Sequence, residues 1–349
     1  MDNQEKEHKR RVRYKGTHPK SYKEKYKELQ PEKYGDTIEK VIKKGSTPAG
    51  MHISICVKEI LEFLQIKPGQ KGLDATLGYG GHTLEMLKCL EGEGHIYALD
   101  VDPIESEKTR ARLESLGYGS EILTVLLQNF ANIDEVAAEY GLFDFMLADL
   151  GVSSMQIDNP DRGFTYKVEG PLDLRLNPEK GISAAERLKN IGQVELEGML
   201  TENADEPYAK EISKAIISEI KKGQEIATTT RLKEIIEGVL EFMPEAARKE
   251  AVKKSCQRTF QALRIDVNSE FEVLEAFLEK LPNVLASGGR VAILTFHSGE
   301  DRLVKKSFKR LQREGVYSEI ATEVIRPSAE ECNMNSRARS TKMRWAIKA

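Results

Sequence analysis

Gly72-Leu-Asp-Ala-Thr76 and the run that follows it, Leu77-Gly-Tyr-Gly-Gly-His82, decide the fold. The first five residues read as a short buried strand. The next six hold three glycines, after which Thr83 to Leu90 resumes with the apolar spacing of a helix. A glycine-rich turn between strand and helix lets backbone approach a ligand closely, with the free N–H groups of the helix start beside it. Asp100 ends the next strand, His95-Ile-Tyr-Ala-Leu-Asp100, 22 residues after Gly78. A carboxylate there accepts hydrogen bonds from ribose hydroxyls. Nicotinamide, flavin and S-adenosylmethionine folds share this pattern, and a purely structural glycine turn competes with all three. The third glycine of G-x-G-x-x-G would fall at position 83, which is Thr, so the pattern leans away from a pyrophosphate ligand.

Working outward, Val57 to Leu64 has helical spacing and stops before Lys67-Pro-Gly69. A helix is expected over Pro103 to Leu116, and strands over Ile122 to Leu127 and Phe143 to Asp149. Four strands alternating with helices before residue 150 predict an α/β fold with a doubly wound, mostly parallel sheet. The next strand, Gly289 to Phe296, comes only after roughly 120 residues of helical pattern, including Ala184–Leu188, Gln193–Leu200, Tyr208–Ile220, Thr230–Phe242 and Cys256–Ile265. Such a block between two strands of one sheet reads as an inserted helical subdomain. The expected organisation is a basic arm over 1–50, a core over 51–160 and 263–349, and an insertion over 161–262.

Composition narrows the function. Of 349 residues 40% are hydrophobic and 31% charged, enough for a sizeable core. No apolar run approaches the roughly 20 residues of a membrane span, and the Lys/Arg/Glu-rich start has no secretory apolar stretch. Cys56, Cys89, Cys256 and Cys332 form no C-x-x-C pair, which argues against a structural metal or a disulfide framework and fits a cytoplasmic protein. The net charge of −3 hides an asymmetry: residues 1–50 carry 14 Lys/Arg against 8 Asp/Glu, interleaved with Tyr14, Tyr22, Tyr26 and Tyr34. The stretch from Asn333 has no acidic residue but holds Arg337, Arg339, Lys342, Arg344 and Lys348. Basic zones on an acidic body suit a polyanion such as RNA, with solvated charged faces and a solubilising tail as the competing reading.

Further motifs are specific. Asp149-Leu-Gly-Val-Ser-Ser154 with Gln156-Ile-Asp158 ends the fourth strand, and Arg162-Gly-Phe164 and Gly170-Pro-Leu-Asp-Leu-Arg175 follow. Later come Phe260-Gln-Ala-Leu-Arg-Ile265, Phe296-His-Ser298 with Glu300-Asp-Arg302, and Ser336-Arg-Ala-Arg-Ser340. With the glycine loop, this order resembles the bacterial methyltransferase family that modifies N4 of a cytosine in the decoding region of small-subunit ribosomal RNA. The resemblance implies a class I, Rossmann-like methyltransferase core with an inserted helical domain, S-adenosylmethionine as cofactor, and ribosomal RNA or the small ribosomal subunit as partner. By matched motif it implies cofactor contacts from Gly80, Gly81, His82, Asp100, Phe130, Asp149 and Gln156. The sequence departs from the family at Tyr79, Gly299, Ser336 and in the N-terminal arm, so a paralogue with another cytosine target is an alternative. A non-catalytic RNA-binding assembly protein and a nicotinamide oxidoreductase are the others.

The chemistry sets further expectations. The exocyclic amine of cytosine is a poor nucleophile and needs in-line placement and acceptors for its protons. The position after the fourth strand lacks the Pro-Pro-aromatic of many amino-methyltransferases, which leaves Ser153, Ser154, backbone carbonyls or Phe296-His297-Ser298 as candidates, with no general base assigned. RNA contacts are expected from Arg302, Lys305, Lys306, Lys309, Arg310 and Arg313 on one helix and from the tail after Arg337.

Overall fold

The computed structural model describes residues 54–349, apart from the side chains of Ser154, Met334 and Ser336. The basic arm expected over 1–50 lies outside the described residues. Helix α1 (Val57–Leu64) buries Ile60 and Leu64 and stops at Gln65, whose backbone turns left-handed. Then follow β1 (Lys71–Asp74), α2 (Gly81–Cys89), β2 (His95–Asp100), α3 (Pro103–Ser115), β3 (Leu123–Leu127), α4 (Ile133–Tyr140) and β4 (Phe143–Asp149). A short α5 (Ser154–Asp158) leads into the helical block: α6 (Ala184–Asn190), α7 (Gln193–Ala204), α8 (Ala209–Lys221), α9 (Thr229–Val239) and α10 (Glu245–Asn268). The chain returns through α11 (Glu270–Val284), β5 (Leu285–Thr295), α12 (Ser298–Arg313), β6 (Tyr317–Ile320), α13 (Ala329–Met334) and β7 (Lys342–Lys348).

The seven strands lie in the order β3-β2-β1-β4-β5-β7-β6. The first five are mutually parallel, and β7 runs antiparallel between β5 and β6. This is the expected doubly wound, mostly parallel α/β core. The strand order reverses between β1 and β4, which opens a crevice beyond their carboxyl ends. Both faces of the sheet are covered, which is why β4 reads as a nearly unbroken apolar run. Met146 and Ile293 pack one way with Phe277 and Phe308, whereas Phe145 and Leu147 pack the other way with Ile60 and Leu87. A third cluster, including Leu196, Ile212, Leu232 and Leu263, belongs to the helical block.

Three expectations need correction. α10 runs unbroken through residues 262 and 263 and ends at Ser269, where φ is +48°, so the division expected at 262/263 falls inside an element. β5 begins four residues before the expected Gly289, because Leu285 already pairs with Phe143 and the irregular stretch between them is absorbed in the sheet. The basic stretch after Arg337 is no free tail. Lys342 and Arg344 lie in β7 and both bond Asp301, at 2.9 and 2.7 Å, while Arg337 pairs with Asp158 at 2.9 Å.

The two ends of the helical block are tied to each other. Asn268 closes α10 by accepting from the Leu176 amide and donating to the carbonyls of Leu174 and Arg264, each at 2.8 Å. Leu174, a bulky residue held at φ +66°, sits in this lock.

Candidate active site

The crevice is built from loops that leave β1, β2, β4 and β5. The first carries the glycines. Gly80 has φ +73°, and a Cβ there would lie 2.7 Å from the Thr109 methyl group, so the position needs glycine twice over. The carbonyl of Gly78 is held by the Thr109 hydroxyl at 2.7 Å. Arg112 lies over the Tyr79 ring and donates to the Tyr79 carbonyl. Gly81, His82 and Thr83 open α2, where a helix start leaves amides without intrahelical acceptors. Thr83, where a dinucleotide fingerprint would have glycine, donates to the buried Asp74 carboxylate at 2.6 Å.

Asp100 stands at the end of β2, in the crevice wall. Its two oxygens accept from the amides of Gly78 and Asp102, both at 2.8 Å, so it clasps the glycine loop to its own strand end. Burial pushes its carboxyl up to about 6 against those bonds. Asp149 ends β4 across the switch point. Its Oδ1 is buried with no hydrogen-bond partner, while the side chain as a whole keeps 30% exposure. Burial also pushes Asp149 up to about 6; the His82 ring opposes the shift, and Asp74 and Glu300 add to it. His82 Nε2 bonds the Ile55 carbonyl at 2.9 Å, and Nδ1 lies 3.5 Å from Asp149 Oδ2. The ring is thus a buried brace for Asp149. Asp149 does not cap the following helix: Ser153 does, its Oγ accepting from the Gln156 amide. The Ser154 side chain lies outside the described residues.

Gln156 and Phe130 complete the predicted set. Gln156 Oε1 accepts from the Ser153 amide and Nε2 donates to Asp102, both at 2.9 Å. Phe130 follows β3 and packs edge-on against Phe277 with centroids 5.2 Å apart, half-buried. The structure therefore brings Gly80, Gly81, His82, Asp100, Asp149 and Gln156 to the loops of β1, β2 and β4, with Phe130 on the loop of the neighbouring β3.

Two sets of contacts here were not predicted from the sequence, although Arg162, His297 and Glu300 stand in the motifs quoted above. Asp102, fully buried, caps α3 through Oδ1, and its Oδ2 takes both Gln156 and Arg162, the latter at 2.7 Å. Arg162 reaches on to the carbonyls of Arg175 and Leu176, which bridges the β2 loop and the entry to the helical block. The only local signal is Asp102-Pro103, a helix-start pair. At the β5 end, Glu300 accepts from the Phe296 amide at 2.8 Å and lies 3.2 Å from His297 Nε2. Burial pushes the Glu300 carboxyl up, but the His297 ring and the Phe296 amide outweigh it and hold it below the usual range. Glu270, His297 and Glu300 bring ligand-type atoms within 4.8 Å of one another, as do Cys56, Glu59 and Glu331. Glu270 is already gripped by both arms of Arg264, and Glu331 by the amides of Cys56 and Ser328, so neither group offers a free ligand set.

The residues fit S-adenosylmethionine. It brings ribose hydroxyls, an amino group and a cationic sulfonium, and the crevice offers two carboxylates, one with an unpartnered oxygen, beside a glycine turn. The carboxyls must be ionised to accept those groups. Because ligand-free Asp100 and Asp149 sit near 6, cofactor affinity should rise with pH up to about 6 and then level off. Below that point each protonated carboxyl costs about tenfold per pH unit. In the ligand-free fold the sign is opposite. A carboxyl raised above its unfolded value stabilises most below the unfolded pKa, and that contribution is lost as pH rises through about 6. Calorimetric titration with S-adenosylmethionine from pH 5 to 8 checks this; flat affinity between pH 5 and 7 would count against ionised carboxylates at the cofactor.

The MraW methylase family matches residues 49–349. The chain belongs to this family. It is 78% identical over 348 residues to ribosomal RNA small subunit methyltransferase H 1 of Lachnoclostridium phytofermentans, covering 100% of this chain and 95% of that one. It is 71% identical over 349 residues to ribosomal RNA small subunit methyltransferase H 2 of Alkaliphilus metalliredigens, covering both chains fully. A more distant member, ribosomal RNA small subunit methyltransferase H of Acidobacterium capsulatum, is 34% identical over 301 residues, which is 85% of this chain but 98% of that one. The two more similar relatives thus extend across the N-terminal region that lies outside the family match.

Proposed function

We propose that this member of the MraW methylase family transfers the methyl group of S-adenosylmethionine to the exocyclic N4 amine of a cytosine in the decoding region of small-subunit ribosomal RNA. The observation that carries the reading is the 78% identity, over the whole chain, to a relative named as a small-subunit ribosomal RNA methyltransferase. S-adenosylmethionine supplies an electrophilic methyl group on its sulfonium. In this reading Gly80, Gly81 and His82 offer backbone to the cofactor, Asp100 accepts from the ribose hydroxyls and Phe130 walls the adenine. Asp149 and Gln156 face its remaining polar groups. Gln156 already serves Ser153 and Asp102, so it also keeps the β4 loop in place.

The amine acceptor must be brought in line with the methyl group and relieved of a proton as its lone pair is used. The target base must be unpaired or swung out of its stack to reach the methyl group. In this reading the helical block, held to the β2 loop through Arg162, bears on the RNA around that base. The reading makes the protein cytoplasmic, and among the described residues no helix is long and apolar enough to cross a membrane.

Incubation with methyl-labelled S-adenosylmethionine and either small-subunit ribosomal RNA, assembled small subunits or transfer RNA tests the substrate class. Label is expected in small-subunit RNA, free or assembled. Label confined to transfer RNA would favour a paralogue with another target, and binding without transfer would favour an assembly protein.

A further inference from the structure

Helix α12 presents an unusual surface. Val304, Phe308 and Leu311 bury one face on the core, while Arg302, Lys305, Lys306, Lys309, Arg310 and Arg313 are all exposed on the other. These six stand at i,i+3 and i,i+4 spacings, where each like-charge neighbour costs about 0.2–0.5 kcal/mol. Among the described residues only Arg310 has a carboxylate within 4.0 Å, Glu314 at 3.3 Å. The charged helix α3 differs. On α3, Lys108 pairs with Glu105 and Arg110 with Glu107 and Glu114. Of the C-terminal cations, Arg337, Lys342 and Arg344 are spent on Asp158 and Asp301. The structure thus separates cations that hold the fold from cations left facing solvent.

The direction of the helix matters too. α12 follows β5, so it starts at the edge where Asp149 lies and runs back alongside the sheet. At 1.5 Å rise per residue, Arg302 lies about 6 Å from the helix start and Arg313 about 17 Å further on. The cations therefore form a track leading away from the crevice. It contains no exposed aromatic ring, so it suits phosphates rather than stacked bases.

We propose that the exposed face of α12 binds the phosphate backbone of the RNA that flanks the target cytosine. The inference rests on the functional reading above and adds the surface along which that substrate lies. Contact of this kind is independent of base sequence and releases counterions, so its signature is salt dependence.

The test compares the full-length protein with a triple variant, K305Q/K306Q/K309Q, and with K305R/K306R/K309R, on a small-subunit ribosomal RNA transcript. Losing three phosphate contacts should flatten the slope of log Kd against log salt by about 2. Between 50 and 200 mM salt the parent should then lose about 20-fold more affinity than the Gln variant. The Arg variant should keep the parent slope, and S-adenosylmethionine affinity should be the same in all three. A Gln variant with the parent slope, or one weakened equally at every salt concentration as for a protein partner, overturns the proposal. A parent that binds the transcript but transfers no methyl group overturns the functional reading instead.

Discussion

Arg162→Met is expected to lower the free energy of unfolding by about 3–5 kcal/mol, the range for removing one partner of a buried ion pair. The Arg162 side chain is 9% exposed and Asp102 fully buried. Truncation leaves the Asp102 carboxylate with one side-chain donor, Gln156, and leaves the carbonyls of Arg175 and Leu176 without theirs. Because the lost partner was a charge, the greater part of the effect is the uncompensated carboxylate. Adding Asp102→Asn should therefore recover part of the loss, since the Asn oxygen can still cap α3. Urea denaturation of the parent, both single variants and the double variant measures the coupling. Additive single effects would remove Asp102–Arg162 as the link between the cofactor-side loops and the helical block.

Asp100→Ala is expected to weaken S-adenosylmethionine binding by about 1.5–3 kcal/mol, or roughly 10–150-fold, as for the loss of charge-assisted hydrogen bonds. The carboxylate has a second role, since it accepts from the Gly78 amide and fixes the turn. Asp100→Asn separates the two. It keeps one acceptor for the Gly78 amide but has no charge to gain or lose near pH 6, so binding should lose one of its two titrating groups. Calorimetry as a function of pH reads both the affinity and the proton release. Parent-like affinity and pH dependence in both variants would move the ribose away from Asp100.

How much of this was legible in the sequence follows from what makes each element. β2 and β4 could be placed to the residue, because buried parallel strands are continuous apolar runs closed by Asp100 and Asp149. The glycine turn was legible because Gly80 adopts a backbone that other residues resist. The end of α10 was not, since its stop is Ser269 in a left-handed conformation, with no Gly or Pro to announce it. β7 was hidden by its charges: Lys342, Arg344 and Lys348 break up the apolar pattern around buried Met343 and Ala346, and such cations read as RNA contacts while two of them serve Asp301.

The site divides in the same way. Residues on strand ends and the first loop were legible because topology dictates where such ends meet. The Asp102–Arg162 pair was not, because its partners stand 60 residues apart and neither the Asp102-Pro103 helix start nor the Arg162-Gly-Phe164 motif says that the two meet. Nor does sequence say that His82 spends its ring on Ile55 and Asp149, which only packing decides.

The crevice is expected to methylate the N4 amine of one cytosine in small-subunit ribosomal RNA. Nucleoside mass spectrometry on that RNA after reaction with S-adenosylmethionine, with fragment mapping of the modified position, tests it most directly. The expected product is N4-methylcytidine at a single decoding-region cytosine, formed by the parent and strongly reduced for Asp100→Ala. A methyl group on a ring carbon, on another base or on ribose, or no methylation of small-subunit RNA at all, would contradict it.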